Sequence, residues 1–344
     1  MRLMAYRTAI AVILLFSAAQ RLFPASWAKY SGEFMAIGVG GRALGLGGAY
    51  AALANDVTAG YWNPAGLSGM TYPEVILMHD ERFGDLVNYD YGAFALPVGF
   101  NTTVAFSVIR LGVDGIPDTR KAMIDVNGNG IFDESDRLNY AEIKYFNAAD
   151  WIFYLSYSKK PAEDISYGFN LKVIRRDLGV ASATGLGFDA GIQYVAWNRL
   201  ALGANFQDAT TTLVAWNTGQ TDLIRPTLKV GSAYFIDLFS GRFAPAFDTD
   251  IRFEGRRSAS NAHLGDVSFD FHTGLEFEFR HLIALRAGYS DIGSVNFGTG
   301  IHLPKFDIDY SFVKFDGEDQ LGNTHRISLM FILQAEQFAR TSGQ

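Results

Sequence analysis

Within one polar stretch of the chain, Asp125-Val126-Asn127-Gly128-Asn129-Gly130-Ile131-Phe132-Asp133-Glu134-Ser135-Asp136 sets side-chain oxygens at positions 1, 3, 5, 9 and 12 of a twelve-residue run. Gly130 stands at position 6, and Ile131 offers its carbonyl at position 7. This is the ligand order of a calcium loop, in which a hard cation gathers oxygen donors and a glycine permits the sharp turn between them. The expected ligands are Asp125, Asn127, Asn129, Ile131, Asp133 and Asp136, holding a structural calcium ion that orders the loop.

No second constellation carries comparable chemistry. The histidines at 79, 263, 272, 281, 302 and 325 are scattered, without the H-E-x-x-H of a zinc protease, and no serine sits in G-x-S-x-G. Asp270 and His272 lie two apart on the polar side of an alternating segment, where a solvated face would also put them. Gly38-Val39-Gly40-Gly41-Arg42-Ala43 matches the G-x-G-x-x-A dinucleotide fingerprint in letters. That fingerprint needs a strand before it and a βαβ unit around it, and neither is legible here. The expectation is a protein that is not an enzyme, with no catalytic residues and no redox cofactor.

The elements that position these residues begin with a leader. Arg2 and Arg7 precede an uncharged apolar run from Thr8 to Ala19, and Ser26-Trp27-Ala28 offers small residues at a cleavage site, so residues 1–28 read as a secretory signal peptide. No later run of 18 apolar residues exists to span a bilayer as a helix. The chain of 344 residues has no cysteine, which removes both a disulfide framework and a lipid-anchoring thiol. Its formal charge is −7, and residues 1–28 carry three arginines and no acid, so the remainder is more acidic still. Nucleic acid is not the expected partner.

Beyond Thr71 the dominant signal has period two. In Asp266–Arg280 the residues Phe269, Phe271, Leu275 and Phe277 fall on one side and Asp270, His272, Glu276 and Glu278 on the other. Phe247, Ile251 and Phe253 alternate likewise with Asp248, Asp250, Arg252 and Glu254. Fourteen such segments can be drawn, from 71–83 through 200–209 and 225–237 to 324–333, each near the length that a tilted strand needs to cross a bilayer. Tight turns near Gly99, Lys160, Asn198, Arg280 and Pro304 alternate with longer connections, the longest at 114–146, 210–224 and 256–265. A secreted β-sandwich would also alternate, but it has no reason to alternate short and long connections. The predicted fold is all-β: an outer-membrane β-barrel of about 14 antiparallel strands over 71–333, in a Gram-negative-type bacterium, with membrane lipid around its apolar wall.

Between leader and barrel stands GRALGLGGAYAALANDVTAGYWNPAGLSGM, residues 41–70. Glycine and alanine allow close backbone packing, Pro64 holds Asn63 extended, and Tyr50, Tyr61 and Trp62 are too apolar for a solvated tail. The stretch, with LRAGY (285–289) and LGNTHRISL (321–329), resembles the PorV/PorQ-type outer-membrane proteins, which are similar in turn to the FadL fatty-acid transporters. The resemblance implies a hatch inside the barrel over 29–70. Its marked positions are Gly41, Arg42, Gly45, Gly47, Gly48, Asn55, Asp56, Trp62, Asn63 and Pro64, with residues 42–66 as the plug proper. It implies an accessory of type IX protein export that handles secreted protein cargo; the alternative is FadL-like passage of a lipophilic ligand, a fatty acid or hydrocarbon. The calcium segment resembles dockerin loops, which end in Asp, more than EF-hands. The tail at 334–344 departs from the terminal aromatic of many barrels.

Overall fold

A strand with one apolar and one polar face needs two different surroundings, and a sheet inside a bilayer can leave no unpaired edge. The computed structural model, which describes residues 32–82, 86–131, 133–256, 259–314 and 324–335, meets both demands with a closed antiparallel barrel of 14 strands. In chain order these are β1 (Glu74–Arg82), β2 (Val87–Val98), β3 (Thr102–Asp118), β4 (Lys144–Ala162), β5 (Ile165–Asp177), β6 (Ser182–Ala196) and β7 (Leu200–Gln207, resuming at Thr212–Trp216). They continue with β8 (Thr221–Ile224 and Thr227–Tyr234), β9 (Gly241–Arg252), β10 (Val267–Phe279), β11 (Ile283–Tyr289), β12 (Val295–Leu303), β13 (Phe306–Lys314) and β14 (Thr324–Ile332). Each pairs with its chain neighbours, and β1 closes the wall by pairing Glu74–Glu81 with His325–Ile332 of β14.

The two faces are inverted relative to a soluble protein. Phe106, Phe169, Phe188, Phe247 and Phe271 are exposed on the outside, whereas Asp80, Lys172, Asp189, Asp250 and Asp270 are buried within. Side chains from adjacent strands stack along the outer surface, as Phe243 does on Phe277 with ring centroids 4.4 Å apart. An apolar exterior over a polar lumen is the membrane-barrel pattern. Among the described residues no helix is long and apolar enough to cross a membrane.

Turns at one end are short, as at 99–101, 163–164, 197–199 and 304–305, while the other end carries the loop 119–143, within which Met123–Ile124 pairs with Arg137–Leu138. Two expected loops are smaller than the sequence suggested. The first ends its flanking strands at Asp118 and Lys144, and the segment 210–224 is mostly strand with a turn at 217–220. The cause is a break at 208–211, where Asp208 and Thr211 have φ of 53° and 61°. Lys172 lies 2.8 Å from Asp189 and 2.6 Å from Asp208, so a buried cation holds the irregular backbone and β7 resumes beyond it. The leader over 1–28, Phe132, residues 321–323 of LGNTHRISL and residues 336–344 of the tail lie outside the described residues.

Candidate functional site

The lumen of a fourteen-strand barrel is wider than wall side chains can fill, since about eight strands is the size at which they do so. Residues 32–73 occupy it. Two short helices, α1 (Gly41–Gly45) and α2 (Ala59–Trp62), and a 3₁₀ turn at Pro64–Gly69 are joined by irregular chain. Val39, Leu46, Tyr50, Val57 and Leu67 are fully buried. The segment threads the whole lumen: Glu33 is ion-paired with Arg256 at the long-loop end, and the Ser68 N–H donates to Ser158 Oγ (3.2 Å) near the short turns.

Irregular backbone buried this way needs partners for its N–H and C=O groups, and the wall supplies them as side chains. Tyr50 and Ala51 donate their N–H groups to one oxygen of Asp248 (2.9 and 2.7 Å), and Val57 donates to Glu74 (2.9 Å). Asn170, Gln193 and Asn205 donate to the carbonyls of Gly60, Ala54 and Trp62 (2.7, 2.8 and 2.9 Å). The sole signal for these wall residues was their place on the polar side of an alternating strand, which marks a lumen face without naming a partner.

The marked plug residues divide by role. Arg42 makes a two-point ion pair with Glu276 (Nε 2.9 Å, Nη2 2.8 Å) and donates to Asn55 Oδ1 (2.7 Å) and Tyr50 Oη (3.1 Å). Tyr50 Oη in turn donates to Asp56 (2.6 Å). Trp62 Nε1 donates to the Val39 carbonyl (2.8 Å). Asn63 Nδ2 donates to the Ala51 and Ile192 carbonyls (2.9 and 3.1 Å), and its Oδ1 accepts from Ala65 N–H, so Asn63 caps the turn that Pro64 begins. Gly47 has φ of 66°, and a Cβ there would stand 2.7 Å from the Tyr289 nitrogen; Gly288 on β11 answers it, since its own Cβ would stand 2.3 Å from the Gly47 nitrogen. Gly41 and Gly45 approach β13 and β12 as closely, and Gly48 faces His272.

Asp270 and His272 do not act on each other. Asp270 accepts from Arg252 (3.0 Å), and His272 Nδ1 donates to the Gly47 carbonyl (2.8 Å). Above the plug, on the long-loop side, a cavity of about 270 Å³ separates it from the wall.

In the calcium segment the acidic side chains serve the loop's own backbone. Asp125 accepts from Gly128 and Gly130 N–H (2.6 and 2.8 Å), Asp136 from Val126 and Asp133 N–H (2.8 and 2.9 Å). The amides of Asn127 and Asn129 both point to Asp133 Oδ2 (3.1 and 2.9 Å), and Asn129 Oδ1 accepts from Ile131 N–H. Hydrogen bonds from Ser135 and then from these amides hold the Asp133 carboxyl well below the usual carboxylate range. Among the described residues no three His, Asp or Glu side chains are gathered as a metal cage.

Residues 17–186 match the Uncharacterised protein family (UPF0164). No curated protein matches the chain. Among solved structures it is similar to CymD, a monoaromatic hydrocarbon channel, at TM-score 0.58 and 14% identity over 87% of this chain and 98% of that one. It is also similar to the toluene transporters TbuX of Ralstonia pickettii (0.53, 12%, 86% and 99%) and TodX of Pseudomonas putida (0.53, 12%, 85% and 96%). The chain shares the fold of these channels. The likeness spans nearly their whole length.

Proposed function

We propose that this barrel, seated in an outer membrane, passes a small lipophilic or amphipathic molecule, with residues 32–73 as a movable closure. The observation that carries this reading is how the closure is held. The plug adds no strand to the barrel sheet; apart from the Pro73 carbonyl at its end, which accepts from Leu333 N–H (2.9 Å), its ties are side-chain hydrogen bonds, ion pairs and van der Waals contact. It can therefore shift without breaking a ladder of the wall. Similarity in fold to hydrocarbon channels supports the same reading. Type IX export, implied by the opening segment, has the weaker support, because it rests on short motifs alone.

Native mass spectrometry of the detergent-purified protein tests the choice. Transport predicts a retained small apolar or amphipathic molecule that added toluene displaces; a co-purifying polypeptide without such a molecule would favour export.

We further propose calcium for the loop 125–136. Its donor set is all oxygen and in the right order, and Gly128 and Gly130 already adopt φ of 73° and 74°. Turning the Asn127 and Asn129 amides over would bring their oxygens beside Asp133. An extracellular module of this kind should bind at roughly 10⁻⁴ to 10⁻³ M. Calcium titration should saturate with the native chain and fail with Asp125→Ala combined with Asp136→Ala; identical isotherms would leave the loop as a turn only.

A further inference from the structure

The cavity above the plug has two unlike faces. The plug presents Ile37, Leu44, Tyr61 and Trp62, whereas the wall presents Arg82, Arg326, Lys229, Arg252, Asp250 and His272. Lys229 and Arg252 face three carboxylates, since Lys229 pairs with Asp250 and Arg252 reaches Asp270 (3.0 Å) and Asp291 (4.0 Å). Arg82 and Arg326 share only one. Both donate through Nε to the same oxygen of Asp80, at 3.0 and 2.7 Å, and Asp80 is fully buried. One carboxylate between two guanidiniums leaves a positive charge over at this pair, while the three carboxylates at Lys229 and Arg252 leave a negative one there. Sharing Asp80 also leaves the Nη ends of both forks without a partner among the described residues.

Nearby, His272 Nε2 is buried without a hydrogen bond, 3.6 Å from Asp250 Oδ2, and its side chain lines the cavity. Native proteins rarely leave such atoms unmet unless a ligand or water meets them. A plain hydrocarbon pressed on this wall would strip water from the arginines and return nothing. A carboxylate would instead take short, charge-assisted hydrogen bonds from the guanidinium forks. The volume suits a ring as the remainder of the ligand: benzene fits a cavity of about 150 Å³. At about 270 Å³ there is room for one ring and its substituent.

We propose that the cavity binds a small organic acid, its apolar body against Leu44 and Trp62 and its carboxylate on Arg82 and Arg326. This rests on the transport reading and narrows its substrate class.

The test is calorimetry on the full chain in detergent with benzoate, benzyl alcohol and toluene as probes. Benzoate should bind about ten-fold or more tightly than benzyl alcohol, the size of a hydrogen bond to a charged group. Arg82→Met leaves Asp80 paired with Arg326 and should abolish that preference while shifting toluene little; Arg82→Lys should keep part of it. Heat-modifiable electrophoretic mobility identifies any variant that fails to fold, in which case native-chain selectivity and Arg82→Lys decide. Benzoate binding no tighter than benzyl alcohol, or equal weakening of all three probes by Arg82→Met, overturns the proposal. Failure of the transport reading looks different: benzoate would bind with the expected preference, yet the protein would carry neither benzoate nor toluene across reconstituted vesicles.

Discussion

Deleting residues 42–66 should convert a nearly closed barrel into a steady pore in planar bilayers. The plug fills the lumen with fully buried side chains, among them Leu46, Tyr50, Val57 and Leu67, and the wall behind them carries Asp248, Glu276, Arg286 and Asp309. A dry void lined by Leu or Phe can stay empty, but one lined by charges takes up water. Removal therefore leaves a hydrated channel. The wall should survive the deletion, because its strands pair with one another and none pairs with the plug. Loosening should have a graded outcome. Arg42→Ala removes the two-point contact to Glu276, which keeps Arg286 at 2.7 Å, so the carboxylate stays paired while the plug loses its strongest tie. The expected result is intermittent opening, as it is for Asn63→Ala with Pro64→Ala, which removes the cap on the last plug turn. Steady conduction by the intact protein, unchanged by the deletion, would defeat the closure reading.

The barrel was legible because alternation is a local property. Each strand needed only its own residues to show two faces, and loop length alone told one end from the other. The plug was read through the resemblance of residues 41–70 to a FadL-type hatch, with a physical reason beside it: a glycine- and alanine-rich run with buried-type aromatics is too apolar for a solvated tail. Two things were hidden. One was the continuation of β7 past Asp208–Thr211, which depends on Lys172 from another strand. The other was the partner of every plug contact. Arg42 and Glu276 are 234 positions apart, and Asp248 serves two N–H groups on a segment nearly 200 residues earlier. Periodicity assigns such residues to the lumen, but only closure of the barrel brings them to the plug. The same holds for Asp80, whose two arginines come from the first and last strands.

Neighbouring residues of β9 should give opposite phenotypes when replaced. Phe247 is 45% exposed on the outer wall, stacked with Phe271 at 6.0 Å between centroids and paired with Thr273 at the middle of β10. Phe247→Lys puts a charge on the lipid face far from either interface, at a cost of roughly 2–4 kcal/mol. The level of folded protein in the membrane should fall, and whatever inserts should remain closed, since nothing touching the plug has changed. Asp248 points the other way, into the lumen, where one of its oxygens accepts both Tyr50 and Ala51 N–H. Asp248→Ala strands two buried donors at about 1–3 kcal/mol each, and that loss falls on the seating of the plug. Insertion should be near normal and the barrel should leak. A lysine at 247 that inserts as well as phenylalanine would mean that the apolar face meets something other than lipid. An alanine at 248 that stays sealed would mean that the plug is held by its packing and not by its polar ties. Together the two variants separate what keeps the barrel in the membrane from what keeps it shut.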